Sequence, residues 1–373
     1  MRRLLCCLSL AVFVGIGGLG RTSQALAKSY PRQEAQIVEH CLKEATPSQV
    51  DIKGSLYYEK QSDNRVWRLR TDAASEAIIL NPSTQGISLD AVANPLHTVL
   101  AVPARDHSLF YLIQQGKVIR SIRSDFNWEP PVIWTNNNHL VVNKDSPEPA
   151  ENGFVVLELS QENPVGHTLQ GFPSAMRVSE VPYSGFYVSP KEDSVVYGAH
   201  FAEGAVQVRG LAMADITSKQ MLWSTRSNFL WDKSWSIPSW SPDGEQFAYV
   251  RQDHSTSRLN IALVNKMGEE QLMTHFQGDA DYFAVITELR WSPDGRRLAF
   301  WMYDPFSLNQ FGQHPEQQTL YILDLISGTL VNTCHRLAGY FEMGLIWSPD
   351  GTSLAYVFEK RLMVLDIANG LEA

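Results

Sequence analysis

The chain has 373 residues, 44% of them hydrophobic and 19% charged. That balance supplies one large core or two small ones and excludes disorder and coiled coil. The 24 Gly and 19 Pro fall at average usage, which excludes collagen-like and low-complexity chains, while 10 Trp, 13 Tyr and 16 Phe favour strands over helices.

Residues 1–27 have the order of parts of a secretory signal peptide: the basic start Met1-Arg2-Arg3, an apolar stretch from Leu4 to Leu19, and the small-x-small site Ala25-Leu26-Ala27. The apolar stretch is short for a membrane span. An uncleaved anchor would tether the same domain in the same compartment. Cys6 and Cys7 precede the apolar core, which does not fit lipidation, and Arg2-Arg3 lacks the polar context of a twin-arginine signal. No second apolar run of spanning length follows. The expected location is periplasmic or secreted, after cleavage behind Ala27.

Cleavage removes Arg2, Arg3 and Arg21 and no acid, so 31 basic against 40 acidic side chains become 28 against 40, a net charge of −12. An acidic surface disfavours nucleic acid and anionic lipid as partners. Cys41 and Cys334 remain. In an oxidising compartment they form either a disulfide or two buried free thiols, and they are not spaced for metal.

Residues 28–50 read as one short helix packed on the domain behind it. Pro31 suits a first helical turn, and Ile37, Val38, Cys41 and Leu42 share one face of 33–45. Residues 51–373 then read as strands. Ser55-Leu56-Tyr57-Tyr58, Val66-Trp67-Arg68-Leu69 and Ala77-Ile78-Ile79-Leu80 supply three without a turn motif.

The remainder repeats. Trp240-Ser241-Pro242-Asp243-Gly244, Trp291-Ser292-Pro293-Asp294-Gly295 and Trp347-Ser348-Pro349-Asp350-Gly351 recur at intervals of 51 and 56 residues, each followed by a strand such as Leu298-Ala299-Phe300-Trp301. Pro pre-sets φ for a tight turn, Asp bonds back to the local backbone and Gly accepts positive φ at the exit. The Trp, at the end of the preceding strand, is large enough to wedge between neighbouring sheets. Degenerate copies stand at Ala93-Asn94-Pro95, Trp134-Thr135-Asn136-Asn137 and Val188-Ser189-Pro190. Third strands follow at Leu320–Leu325 and Leu362–Ile367, and fourth strands at Glu270–Met273 and Thr329–Val331. Four strands per unit, repeated along the chain, predict an all-β fold, a β-propeller of seven blades, or of six if the termini overlap in one sheet.

These residues resemble the WD40-like (PD40) propeller repeat of the TolB family, periplasmic components of the Tol–Pal system, over roughly Ser55 to Gly370. Similar blades occur in prolyl-oligopeptidase-like enzymes. The resemblance implies a non-catalytic propeller that works by protein interaction at the cell envelope.

No catalytic motif accompanies the repeats. Gly-x-Ser-x-Gly, His-Glu-x-x-His and the phosphate-binding Gly-x-x-x-x-Gly-Lys-Ser/Thr are all absent from the sequence. His254 and His275 are single loop histidines, and Asp279-Ala280-Asp281 lacks the rest of a calcium loop. The expectation is no enzyme, no cofactor and no metal.

Propeller geometry places the first-to-second hairpins on one face and the longer connections on the other. Those connections are aromatic. Trp128, Trp231, Trp235, Tyr282, Phe306 and Tyr340 are the candidate partner-binding residues, with Phe172, Tyr183, Tyr303, Phe311 and Phe341 among their neighbours and Arg226, Asp232, Lys233 and Asp304 as nearby polar groups. Capping of sheets would explain any one of them. The alternative function is a small-ligand or carbohydrate-binding propeller, or an enzyme, using the central channel, for which Glu288, Arg290 and Glu342 are the sparse candidates.

Overall fold

The computed structural model describes residues 36–45, 56–60, 65–69, 75–78, 92–94, 98–103, 109–114, 117–123, 127–145, 153–158, 165–168, 172–173, 186–203, 206–225, 238–252, 259–276, 286–303, 317–338, 345–358 and 361–368. They are almost entirely strand. In chain order these are β1 (Gln36–Glu39), β2 (Glu44–Ala45), β3 (Leu56–Lys60), β4 (Arg65–Leu69), β5 (Ser75–Ile78), β6 (Val92–Ala93), β7 (Val99–Pro103), β8 (Leu109–Gln114), β9 (Lys117–Arg123), β10 (Asn127–Trp134), β11 (His139–Asp145), β12 (Gly153–Glu158), β13 (Val165–Thr168) and β14 (Tyr187–Val188). The second half continues with β15 (Ser194–Glu203), β16 (Val206–Asp215), β17 (Met221–Thr225), β18 (Ser239–Trp240), β19 (Gln246–Gln252), β20 (Leu259–Asn265), β21 (Glu270–Leu272), β22 (Ile286–Trp291), β23 (Arg297–Tyr303), β24 (Gln317–Asp324), β25 (Thr329–Ala338), β26 (Ile346–Trp347), β27 (Ser353–Phe358) and β28 (Arg361–Asp366).

Among the described residues these strands form seven sheets, taken here in chain order. The first is β3-β4-β5, and the second to fifth are β6 to β9, β10 to β13, β14 to β17 and β18 to β21, each an antiparallel meander. The sixth is β22 to β25 with β1 added outside β25, and the seventh is β26 to β28 with β2 added outside β28. Serial, self-contained meanders are the arrangement the repeats predict.

The core lies between sheets, which explains why the strands read as unbroken apolar runs rather than alternating ones. Successive side chains point to opposite faces. Leu140 and Val142 of β11 and Val155 and Leu157 of β12 therefore pack toward the second sheet with Val99, Ala101 and Phe110. Val141, Phe154 and Val156 from the same two strands pack toward the fourth sheet with Val188, Val195 and Tyr197. Every middle sheet needs apolar residues on both faces because it has a sheet on either side.

The amino-terminal segment departs from expectation. Residues 36–39 and 44–45 are strands, and the helix read over 33–45 is absent there. β1 runs parallel to β25 in the register Gln36↔Thr329 to Glu39↔Asn332, and β2 pairs antiparallel with β28 through Glu44↔Leu365 and Ala45↔Val364. The open edges of two sheets offer rows of backbone partners that an isolated helix cannot match, and tertiary pairing overrides the helical spacing of the apolar residues. Ile37 and Val38, assigned to the buried face of that helix, are 56% and 39% exposed. Leu42 is buried among Trp301, Leu345, Trp347 and Leu365, between the sixth and seventh sheets.

Candidate functional site

The pentapeptide turns are built alike. In the fifth sheet the Gly244 N–H donates to Ser241 O (2.8 Å) and the Ser241 N–H to Gln246 O (2.8 Å). Ser241 Oγ donates to Asp243 Oδ1 (2.6 Å) and accepts the Gln246 N–H (3.0 Å), while Asp243 Oδ1 accepts the Glu245 N–H (3.1 Å). Ser292 with Asp294 and Ser348 with Asp350 repeat the pattern. Gly244, Gly295 and Gly351 sit at φ 67°, 67° and 70°, the left-handed region that glycine enters without cost. Burial would raise the Asp350 pKa, but the Ser348 and Thr352 hydrogen bonds outweigh it and hold the carboxyl below its ordinary value. The stability this carboxylate contributes is present above its unfolded pKa, at about pH 4, and is lost as pH falls through the lower folded value.

The degenerate copies keep parts of this turn: the Ser189 N–H donates to Ser194 O (2.8 Å) as Ser241 does to Gln246, whereas the Thr135 N–H donates to His139 O (2.9 Å), one residue nearer. Asn138 (φ 61°) and Glu192 (φ 59°) occupy the glycine position and donate N–H to Thr135 O (3.0 Å) and Ser189 O (2.9 Å). Asn94 Oδ1 replaces the serine hydroxyl, accepting the Thr98 and Val99 N–H groups at 2.8 and 2.9 Å.

Each repeat tryptophan reaches back one sheet. The Trp240, Trp291 and Trp347 indoles donate to Tyr187 O (2.7 Å), Ser239 O (3.0 Å) and Arg290 O (3.1 Å). In each case the acceptor is the residue just before the equivalent position of the preceding sheet. The wedge expected from the sequence is thus also a directed hydrogen bond.

Polar side chains extend these links across the turn end of the second to fifth sheets. Asn94 Nδ2 donates to Asn138 Oδ1 (2.7 Å), Thr135 Oγ1 donates to Glu192, and His139 Nδ1 lies 3.0 Å from Glu192 Oε1. Lys191 pairs with Glu245, and Lys266 Nζ lies 2.5 Å from Asp193 Oδ2. Burial would raise the Asp193 carboxyl, but Lys266 and Ser189 hold it low. Lys191 and Glu245 are each about half exposed, so their pairing contributes little energy and mainly sets position. Glu192 is the position sequence reasoning missed: a non-glycine in the turn's left-handed site, whose carboxylate binds the preceding sheet.

On the first strand of the sixth sheet, β22 carries one extra residue against β23 between Thr287 and Arg290, and Glu288 sits in that bulge at φ 55°. Its Oε2 accepts the N–H of Leu345 (3.0 Å), the residue that enters β26 of the seventh sheet. Burial pushes the Glu288 carboxyl up, against the opposing pull of the Arg290 guanidinium and the Leu345 N–H. A carboxyl raised in the fold penalises the folded state above that raised pKa. Glu288→Gln keeps an acceptor for Leu345 and removes the charge. It should raise stability to denaturant at pH 8, with the gain shrinking as pH falls through the raised pKa. A loss of stability at pH 8 would contradict this.

Cys41 and Cys334 are joined as a disulfide, with Cα atoms 4.8 Å apart across 293 residues of sequence. The bond ties the added strand β1, in place of the expected helix, to the outer edge of the sixth sheet. Among the described residues, Glu39 with these two cysteines is the one group of three potential metal ligands, and the disulfide consumes both sulfurs.

Of the candidate partner-binding residues, Trp231, Trp235, Tyr282, Phe306 and Tyr340 lie outside the described residues, as do Arg226, Asp232, Lys233, Asp304, His254, Asp279, Asp281 and Glu342. Trp128 is placed by its backbone in β10, opposite Lys144. Phe172, counted among the loop aromatics, is buried edge-on against Tyr197 at 5.7 Å, with Lys219 Nζ 5.4 Å from its ring centre. It fills core because residues 172–173 lie against the fourth sheet, where Tyr197 Oη donates to Pro173 O (2.9 Å). Among the described residues no helix is long and apolar enough to cross a membrane.

No protein-family model matches the chain, and no curated protein matches it in sequence. Solved structures do. Hydrazine synthase of Kuenenia stuttgartiensis matches at 11% identity over 91% of this chain and 99% of its own, with a TM-score of 0.54. The β-propeller domain of Swd1 from Myceliophteria thermophila matches at 14% identity over 88% and 97%, with a TM-score of 0.51. TolB from Acinetobacter baumannii matches at 15% identity over 84% and 78%, with a TM-score of 0.40, too low to argue from. The first two likenesses show the fold alone, a β-propeller, whose hosts include an enzyme and a propeller domain of another kind.

Proposed function

We propose that the chain is a seven-bladed, non-catalytic propeller of the TolB-like repeat type, periplasmic or secreted, that holds a protein partner at the cell envelope through its long-connection face. The observation that carries the reading is the asymmetry between the two ends of the sheets. At one end, short turns such as 241–245 between β18 and β19 are closed by their own Ser and Asp side chains and tied to neighbouring sheets by Trp, Glu192 and Lys266. At the other, the chain between β17 and β18, between β21 and β22 and between β23 and β24 is far longer and rich in aromatic residues. Aromatic anchors are what a protein interface uses. The disulfide supports an oxidising compartment, in keeping with the signal-like residues 1–27.

The second reading, a channel that takes a small ligand, a carbohydrate or a substrate, draws support from Glu288 and Arg290 on the first strand of the sixth sheet. A crosslinked pull-down from the native envelope separates the two. Wild-type protein should capture a partner that a variant carrying Trp231→Ala, Trp235→Ala and Phe306→Ala does not. Equal capture by both would refute the anchors, and no capture by either would move the channel reading ahead.

A further inference from the structure

The segment 36–45 is held to the propeller in an uneven way. Its backbone is well matched: β1 fills the edge of β25, the His40 N–H donates to Asn332 O (2.9 Å), the Leu42 N–H donates to Thr333 O (3.2 Å), and β2 fills the edge of β28. Its side chains contribute little. Ile37, Val38, Glu39, Cys41 and Lys43 are all exposed, and Leu42 is the one side chain described as buried in this segment. A four-residue and a two-residue strand joined by one apolar anchor make a marginal docking, since strand pairing in water depends on an apolar face to hold it.

The structure then spends strain to fasten this segment covalently. Between Thr319 and Tyr321, β25 slips register so that Thr333, Cys334 and His335 stand opposite Leu320 alone, and Cys334 takes φ 63°. Thr333 Oγ1 caps Leu320 O (2.8 Å), and the bulge turns Cys334 outward to meet Cys41. His335 completes the fastening, with Nε2 2.9 Å from Leu42 O and Nδ1 3.1 Å from the Tyr356 hydroxyl of the seventh sheet. The disulfide lies in the open, Cys41 exposed and Cys334 partly so, where a thiol can reach it.

We propose that residues 36–45 form a redox-released clasp, and that cleavage of Cys41–Cys334 by a dithiol frees them and opens the edges of β25 and β28 to an added extended strand. The chemistry balances within that pair of reactants. One thiolate of the dithiol attacks Cys41 Sγ, forming a mixed disulfide and breaking the bond to Cys334 Sγ, which leaves and takes up a proton. The second thiolate closes the dithiol into its own disulfide and releases Cys41, so that two electrons and two protons pass to the protein. Glu39 Oε1, 3.9 Å from Cys334 Sγ, stands ready to accept the new S–H. The occupant that fits the opened edges is residues 36–45 of a second copy of this chain, which carry the register to β25 and β28 and the apolar anchor Leu42 between them.

The test compares oxidised protein, protein treated with dithiothreitol, and the Cys41→Ser, Cys334→Ser double variant by amide hydrogen exchange. It adds capture of a biotinylated peptide spanning residues 31–45. The clasp predicts that exchange in 36–45 and in β28 rises about tenfold or more in the second and third samples. The amides of Gly244, Gly295 and Gly351 should lose no more protection than the drop in global stability accounts for, and the peptide should bind only those two samples. Unchanged protection of 36–45 after reduction, with both thiols shown free by alkylation, would overturn the proposal. Protection lost to the same extent in the Gly244, Gly295 and Gly351 amides as in 36–45 would overturn it equally, because the bond would then hold the whole fold rather than a clasp.

Discussion

Trp291→Ala should destabilise the protein by about 3–5 kcal/mol, the range for deleting a large buried aromatic from a core that closes only partly around the void. Trp291 is 7% exposed and sits where β22 of the sixth sheet faces β18 of the fifth. The substitution also removes the indole that satisfies Ser239 O at 3.0 Å, leaving a carbonyl of the fifth sheet without that partner. Trp291→Phe separates the two losses. It keeps most of the volume and should cost about 1 kcal/mol, the net value of a typical hydrogen bond. Urea unfolding of the three proteins measures both steps. An alanine variant within about 1 kcal/mol of wild type would mean that the repeat tryptophans are not the wedges the geometry makes them.

The Cys41→Ser, Cys334→Ser double variant should lose about 2–4 kcal/mol of stability, because the bond closes a long loop and restricts the unfolded chain. The bonded residues are 293 apart, so the restriction reaches most of the chain. Since the effect resides in the unfolded state, wild type unfolded in the presence of reductant should match the double variant, and oxidised wild type should stand apart from both. If reductant leaves the wild-type midpoint unchanged, the bond carries no stability and the clasp rests on strand pairing alone. A single Cys334→Ser should be no milder, because it breaks the same bond.

The strand content and the turns were legible because their signals are local. Ser, Asp and Gly at fixed offsets in 241–244, 292–295 and 348–351 close a turn whatever surrounds them, and unbroken apolar runs such as Leu140-Val141-Val142 mark strands covered on both faces. Even the copy at Ser189, with Lys191 and Glu192 in place of Asp and Gly, keeps the turn because its backbone bonds survive. The amino-terminal strands were not legible. Ile37, Val38, Cys41 and Leu42 have helical spacing, and what makes strands of them is the edge of β25 and β28, some 290 to 320 residues further along the sequence. Phe172 misled for the same reason, since an aromatic residue in a connection can serve a core as readily as a surface. Glu192 read as an ordinary acid and Glu288 only as a sparse channel candidate, because neither positive φ nor a partner in a neighbouring sheet leaves a trace in local sequence.

The seventh sheet draws β26 to β28 from residues 346–366 and β2 from residues 44–45. During synthesis from the amino terminus, residues 36–45 therefore wait without partners until β25 and β28 have been made. Cys41 is an open thiol throughout that interval. The first-made and last-made parts of the chain mature together, and a premature stop after residue 328 strips the beginning of the protein of every strand it pairs with. Damage at the carboxyl end would accordingly register first at the amino end, as new protease sensitivity around Leu42.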